Sequence, residues 1–490
     1  MIFLAVVLIL STPTAPASPS GVWFITRGHN ANDDAWGVAV DTMGYVYWAT
    51  TEKLPDSSYN DIFIYKIDSS GRQLWKSRSA GGPYNEVAFI AVAKEPFVYI
   101  GGRIDASAGG NQNLLLVAYR MTNDTLRREW EYSWDLAGYY EEVDGIGVRD
   151  DAIYISGWAS PAPLNQDIVV QKLDLNGNLI WSTIWAGTGL EGANGHMALD
   201  NSNIYIGSHY GPLNRQGDGL LIAFSQDSGH YLWSETWGRA DSDDAFYGLE
   251  MGSDSFLYVV GPSPMGLGIY SDINLVKYTR TGIKLWERRW GGPNHEAGRA
   301  ISIDGDSVVY IAGYTTSYGA GGADIVVLKY KPDGTLLDYR IWGGTNDDEV
   351  HDITLAGDYL YLTGYTESFG AGGDDALLIR AQKRSLIFPD TLQGIKENRG
   401  ACPENFLLTC INPVVGQTPV YFFLPGPRAV RLDVFDLNGR KKTTLIKKNL
   451  PAGFHTAVLN PQGLSSGVYF IRLKAGFVTR VAKVIIQNNG

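Results

Sequence analysis

Cysteine, methionine and histidine are scarce in this chain, at 2, 6 and 7 of 490 residues. Two cysteines cannot staple a chain of this length. They sit in CPENFLLTC as Cys402 and Cys410, a spacing open to a local disulfide or to two free thiols. No further Cys or His lies nearby in sequence, which argues against a zinc site there. Long apolar runs are missing beyond the first residues. Ile2–Leu10 is about half of the ~20 residues a spanning helix needs, and small residues with an Ala15-Pro16-Ala17 site follow it. Residues 1–20 therefore read as an export signal, although no Lys or Arg precedes the run. No transmembrane segment is expected. Basic charge is also short, with a net charge of −12. From Ile395 onward 13 Lys and Arg face 4 acids, so the tail is +9 and the remainder −21. A body that acidic excludes nucleic acid as its ligand.

Glycine (58), tyrosine (28) and tryptophan (14) are abundant, which favours a turn-rich β protein. A tryptophan pair spaced four apart recurs at Trp130/Trp134, Trp181/Trp185, Trp233/Trp237 and Trp286/Trp290, and Trp342 follows. After each comes an acid, a short apolar segment, a tight turn and a strand such as VVYIAGY or YLYLTGY. A longer loop, an Asp-led strand such as DIVVLKY, a turn such as KPDG and the next Trp strand complete the unit. Alternation and turn chemistry predict four strands per unit. The acid position counts seven units: Asp33, Glu86, Glu141, Glu191, Asp243, Glu296 and Asp348. Radially arranged four-stranded units of this length are propeller blades. The expected fold is all-β, a seven-bladed β-propeller followed by a small β-sandwich.

The seventh unit stops after DDALLIRAQ, without a Trp strand. GVWFITRG, at residues 21–28, is that missing strand moved to the front, and it is expected to close the last blade. In the sixth unit LLDYRIW places Leu337 or Tyr339 where a Trp is expected.

SFGAGGDDALLIR and WGGPNHEAGRAISIDGDSVVYIAGYT resemble the SBBP family of bacterial β-propeller repeats, over about residues 22–385. That likeness implies a fold and no particular activity. Toward the end stand PENFLLTCINPVVGQTPVYFFLP, VRLDVFDLNGRKKTTL and LSSGVYFIRLKAG. They resemble the C-terminal sorting domain of the type IX (Por) secretion system, an immunoglobulin-like sandwich. The resemblance implies the type IX machinery as a partner, and export to the medium or the outer cell surface of a Gram-negative-type bacterium. The domains expected are a signal peptide at 1–20, a propeller at 21–385, a linker at 386–402 and a sorting domain at 403–490.

Strand direction puts the seven acids and the long loops on one face, the default binding face. The acids are the candidate binding residues there, and the bland alternative is that each holds a neighbouring loop by accepting N–H bonds. Asp61, Asp167, Asp218, Asp272, Asp324 and Asp375 open third strands, with Lys66, Lys172, Lys277, Lys329 and Arg380 five residues after five of them. These are expected to make inter-blade contacts. GAGGADIVV raises calcium as the one cofactor to consider, although it lacks the nine-residue stacking of calcium-binding β-helices. His29, His196, His209, His295 and His351 have no partner at ligand spacing. No nucleophile elbow or phosphate loop occurs, and GTGLEG enters no helix. No catalytic residue is assigned. The expected function is non-catalytic binding of a surface glycan or protein. The alternatives are a polysaccharide-cleaving propeller or a quinoprotein-like dehydrogenase, whose docking repeats KLDLNGNLIW also resembles.

Overall fold

The computed structural model describes residues 21–486 except 29–31, 55–56, 80–84, 106–110, 123–124, 137–139, 163–164, 188–189, 193–195, 212–216, 239–242, 265–269, 390–407, 411–417, 425–427, 438, 451–452 and 476–477. The leader, most of the linker and Cys402 lie outside the described residues, as does the side chain of Cys410. Every regular element described is a β-strand. No helix is long and apolar enough to cross a membrane. The chain divides into two compact units, 1–392 and 393–490.

The first unit is a succession of antiparallel four-stranded ladders. Asp34–Val40, Val46–Lys53, Asn60–Ile67 and Gln73–Arg78 form the first. The second and third begin with Glu86–Lys94 and Tyr140–Val148. In the fourth, Leu190–Gly192 and Met197–Leu199 both pair with Asn203–Gly211. Gly248–Met251 opens the fifth and Glu296–Ile303 the sixth. The seventh takes Asp348–Ala356, Tyr359–Thr366 and Asp375–Gln382, and its fourth strand is Trp23–Arg27 from the front of the chain. The pairing runs from Trp23 opposite Arg380 to Arg27 opposite Ala376.

Successive ladders share apolar cores, because their middle strands are buried on both faces and read as continuous apolar runs. The first and last ladders are joined in the same way. Trp23, Trp48, Tyr361 and Leu378 lie in one cluster, and Trp48 Nε1 donates to Thr363 Oγ1 at 2.7 Å.

Two recurring contacts bind ladder to ladder, one or both at each junction. In the first, a third-strand cation reaches a carbonyl in the next ladder's third-to-fourth turn. Lys66 donates to Thr122 O (2.6 Å), Lys172 to Gln226 O (3.3 Å), Lys277 to Pro332 O (3.1 Å) and Lys329 to Arg384 O (3.0 Å). Arg380 makes the corresponding bond from the seventh ladder to the first, to Ser69 O at 2.6 Å. In the second, a fourth-strand Trp lies on the next ladder's turn glycine. Trp23 covers Gly71, where a Cβ would fall 3.0 Å from the indole, and Trp130 covers Gly177 at 2.8 Å. The Trp faces the clamping cation, as in Trp181 opposite Lys172 and Trp286 opposite Lys277. In the sixth ladder that place belongs to Asp338, opposite Lys329, and not to Leu337 or Tyr339. A carboxylate there faces the cation where an indole would otherwise stack.

The second unit has two sheets. Leu408–Cys410, Thr418–Leu424 and Gly453–Leu459 form one. Lys441–Leu450, Arg428–Asp436, Gly467–Ala475 and Val478–Ile486, in that spatial order, form the other. Val420, Phe422, Leu432, Val434, Ile471 and Val484 pack in the core between them.

Candidate functional site

Most of the repeated acids are buried. Asp33, Glu86, Glu141, Glu296 and Asp348 are at most 1% exposed. The carboxylates of Asp33, Glu296 and Asp348 hold loops. Asp33 accepts from Lys53 N at 2.6 Å, and Glu296 accepts from Gly292 N (2.7 Å), Thr315 Oγ1 (2.9 Å) and Ser317 N (3.1 Å). Asp348 accepts from Gly344 N at 2.7 Å and from the Thr366 hydroxyl. Burial, and then the charge of Asp135, pushes Glu141 up to about 7. In the fifth unit the backbone bond that ties Asp33 to Asp374 O and Asp348 to Ala323 O is made by Asp244, to Gly217 O at 2.7 Å. Asp243, one residue earlier, is exposed and accepts from Gly217 N at 2.9 Å. Glu191 pairs through its backbone with Tyr210, and its side chain lies outside the described residues.

Four of the six third-strand acids are spent similarly. Asp61 pairs with Arg78 at 2.6 Å and Asp272 with Arg289. Asp324 and Asp375 accept from Ala320 N (3.0 Å) and Ala371 N (2.8 Å) of their own glycine-rich loops. Burial raises Asp324 to about 7, with its neighbours Asp348 and Asp347 adding to the effect. Among the described residues no three His, Cys, Asp or Glu side chains come close enough to hold a metal ion.

The side chains that gather are at another repeated position, three residues after the acid. In five ladders the first strand carries a one-residue bulge there. The register shifts across Ala35/Gly37, Ala88/Ile90, Val143/Gly145, Gly298/Ala300 and Val350/Asp352. A bulge leaves one residue out of the pairing and re-aims its side chain. The residues so released are Trp36, Phe89, Asp144, Arg299 and His351. A second-strand glycine makes room in four of these ladders. A Cβ on Gly157 would sit 1.8 Å from Glu142 O, and one on Gly313 would sit 1.9 Å from Ala297 O.

These residues touch from ladder to ladder. The Trp36 ring stacks on His351 at 3.7 Å and meets Phe89 edge-on at 5.8 Å. Asp34 Oδ1 lies 3.3 Å from His351 Nδ1, and Tyr365 lies 5.7 Å from the imidazole. Arg103 sits over Phe89 at 5.2 Å and pairs with Glu142 at 2.7 Å, which also accepts from Trp158 Nε1 at 2.6 Å. Asp144 is pushed well above the carboxylate range, first by burial and then by Glu142. Arg299 lies over Tyr247 (5.1 Å) and Tyr314 (5.5 Å) and 3.7 Å from Glu349. The contacts run from the fifth ladder through the sixth, seventh, first and second to the third.

Below them, His196 of the fourth ladder comes 3.6 Å from Asp352 of the seventh, which also accepts from Val38 N of the first at 3.0 Å. Burial raises Asp352, and raises Glu250 of the fifth ladder to about 8. Groups from four ladders thus meet here, the first ladder contributing a backbone N–H. Of the other histidines, His209 packs against Gly192 and burial lowers its pKa; His295 is exposed beside Tyr270. His29 lies outside the described residues.

The candidates named from the sequence were the repeated acids, and the clustered residues were not among them except His351. A signal for them exists in the sequence. A glycine inside a strand, as in VVYIAGY and YLYLTGY, marks a bulge or a close backbone approach. The cluster offers stacking faces (Trp36, Phe89, Trp158), guanidinium donors (Arg103, Arg299) and carboxylate acceptors (Asp34, Glu142, Glu349) in one place.

Together these features define an all-β repeat protein with a separate two-sheet unit at its C-terminal end. Residues 412–487 match the family described as secretion system C-terminal sorting domain, which indicates type IX sorting and export to the cell surface or medium. No curated protein matches the chain. Among solved structures it is similar to a puromycin hydrolase, at 11% identity and a TM-score of 0.45, over 79% of this chain and 58% of that one. It is similar to PorZ, described as an essential bacterial surface component of the type IX secretion system of Porphyromonas gingivalis. That likeness has 12% identity and a TM-score of 0.28, over 91% of this chain and 73% of PorZ. It is also similar to the β-propeller domain of the trilobed protease from Pyrococcus furiosus, at 9% identity and a TM-score of 0.43, over 74% and 98% of the two chains. The chain spans less than two thirds of the puromycin hydrolase.

Proposed function

We propose that the seven ladders close into a seven-bladed propeller of the SBBP type, and that its axial mouth, on the loop face, binds a glycan outside the cell. The C-terminal unit, an immunoglobulin-like sandwich on this reading, delivers the propeller there. The closure rests on Trp23–Arg27 serving as the seventh ladder's fourth strand, and on Arg380 repeating across the junction the clamp seen at four other interfaces.

One observation carries the binding reading. At a position whose backbone repeats, the side chains do not, and nearly all are aromatic or ionisable: Trp36, Phe89, Asp144, Arg299 and His351. A scaffold contact would recur in type, as the buried acids do. Half-buried aromatic faces beside paired Arg and Glu groups suit a pyranose, whose C–H face stacks while its hydroxyls both donate and accept. A glycan array with the full chain tests this. Trp36→Ala and Arg299→Met should each weaken binding of the array hits at least tenfold without changing the far-UV spectrum. Unchanged binding in both variants would remove the mouth from consideration.

A second reading, glycan cleavage, is favoured by Asp144 alone, a carboxyl whose proton affinity is raised by burial and by the neighbouring Glu142. Release of shortened oligosaccharide from an array hit, lost in Asp144→Asn, would replace binding by turnover.

A further inference from the structure

A different surface, on the C-terminal unit, carries an inference independent of the axial mouth. In the four-stranded sheet of that unit, alternate residues face the core, and the others form an open face. The register aligns this face in rows. Lys447 lies opposite Arg431, and Arg431 opposite Lys474. Thr444, Asp433, Arg472 and Val481 form the next row, and Lys441, Phe435, Phe470 and Lys483 the one after. Lys441, Lys447, Arg472, Lys474 and Lys483 are exposed.

Three cations directly opposite one another repel, at strand spacings of about 4.8 Å. The described acids of this unit relieve only the middle of the row, Arg431. Asp433 is 1% exposed and is engaged by Arg431 at 2.8 Å and Arg472 at 3.7 Å. Asp436 is engaged by Lys442 at 3.2 Å. Among the described residues neither Lys447 nor Lys474 has an acidic partner. A like-charged row of this kind is relieved when an external anion lies along it.

We propose that this sheet face docks a linear polyanionic glycan, its carboxylate, phosphate or sulfate groups running along the Lys447–Arg431–Lys474 row. The charge fits, since six cations flank one buried acid. A narrow row of cations across three strands fits a chain better than a bilayer. Its aromatic side chains do not protrude: Phe435 and Phe470 are half-buried, and Arg472 covers Phe435 at 4.2 Å. The exposed aliphatic residues Val481 and Ile485 are confined to the last strand, at the sheet edge.

The test uses the full chain, whose net charge of −12 disfavours general attraction to polyanions. Dextran sulfate is the probe, with neutral dextran and acidic-phospholipid vesicles as comparisons. The chain should bind dextran sulfate at low salt and not neutral dextran. The triple variant Lys447→Gln, Lys474→Gln, Lys483→Gln should bind at least tenfold more weakly, with a salt slope lower by about three, near one per lost contact. A control triple variant in the first unit, Arg72→Gln, Lys284→Gln, Lys331→Gln, should bind like the parent. No binding at low salt, equal loss in the two triple variants, or tighter binding to the vesicles than to the polymer would each overturn the proposal.

Discussion

Gly71→Ala probes the junction at which the front strand meets the first ladder. Gly71 has φ +86°, and its N–H donates to Asp68 O at 2.9 Å. Gly44 occupies the same kind of turn, with φ +84° and a bond to Asp41 O at 3.0 Å. An alanine at either site meets the same backbone cost, about 1–2 kcal/mol for a left-handed conformation. The surroundings differ. Nothing lies within 4 Å of a Cβ at Gly44, whereas a Cβ at Gly71 would fall 3.0, 3.2 and 3.3 Å from three atoms of the Trp23 indole. Trp23 is 3% exposed, its Nε1 donates to Ser69 O at 3.2 Å, and its ring meets Tyr361. It has little room to retreat. Overpacking of this kind costs about 1–3 kcal/mol. Gly71→Ala should therefore lose about 2–5 kcal/mol in urea unfolding, against about 1–2 for Gly44→Ala. In a Trp23→Ala background the excess at Gly71 should vanish, because residues in contact are non-additive. Equal losses at the two glycines, or an excess that survives in that background, would refute the docking of Trp23 on this turn.

Arg380→Met removes two carbonyl bonds, to Gly21 O (2.8 Å) and Ser69 O (2.6 Å), from a side chain in an 8% exposed residue; it should cost about 2–4 kcal/mol in the same assay, well above Lys172→Met, which breaks one bond of 3.3 Å. Gly313→Ala, with its Cβ 1.9 Å from Ala297 O, should displace the bulge and impair ligand binding through Arg299 as well as stability, read out on the array and by urea midpoint. Asp324 holds its proton up to about pH 7 when folded, but only to about 4 when unfolded, so its contribution is complete below about pH 4 and is lost as pH rises through 7. Asp324→Asn, whose amide oxygen can still accept from Ala320 N, should flatten the fall in urea midpoint between pH 5 and pH 8; an unchanged fall would assign it to other groups.

Much of the scaffold was legible because it repeats. The Trp pairs, the Asp-led strands and their cations recur in type, and a recurring type marks a contact made at many of the interfaces. Even the displaced strand could be read, since GVWFITRG has the form of a unit's last strand and the seventh unit lacks one. The same logic does not reach the clustered residues. Asp33, Glu296 and Asp348 recur because each ladder needs a loop held, and their oxygens are engaged in doing so. The clustered residues share no chemical type, so no alignment of the repeats against one another singles out Trp36, Arg299 and His351 together. A bulge also adds one residue to a strand, which period-two alternation cannot register. Asp243 and Asp244 are adjacent acids, and only the backbone bond to Gly217 O decides which one holds the repeated place.

The account depends most on the front strand lying beside the last one. With Cys402 and Cys410 replaced by serine, cysteines at Ile25 and Leu378, which face each other across the two strands, test this directly. Facing strand residues have Cα atoms about 4.5–5.5 Å apart, within disulfide reach. Mild oxidation of the folded monomer should give a rapid intramolecular disulfide that raises the unfolding midpoint. Free thiols or intermolecular dimers alone would contradict the closure, and with it the axial mouth.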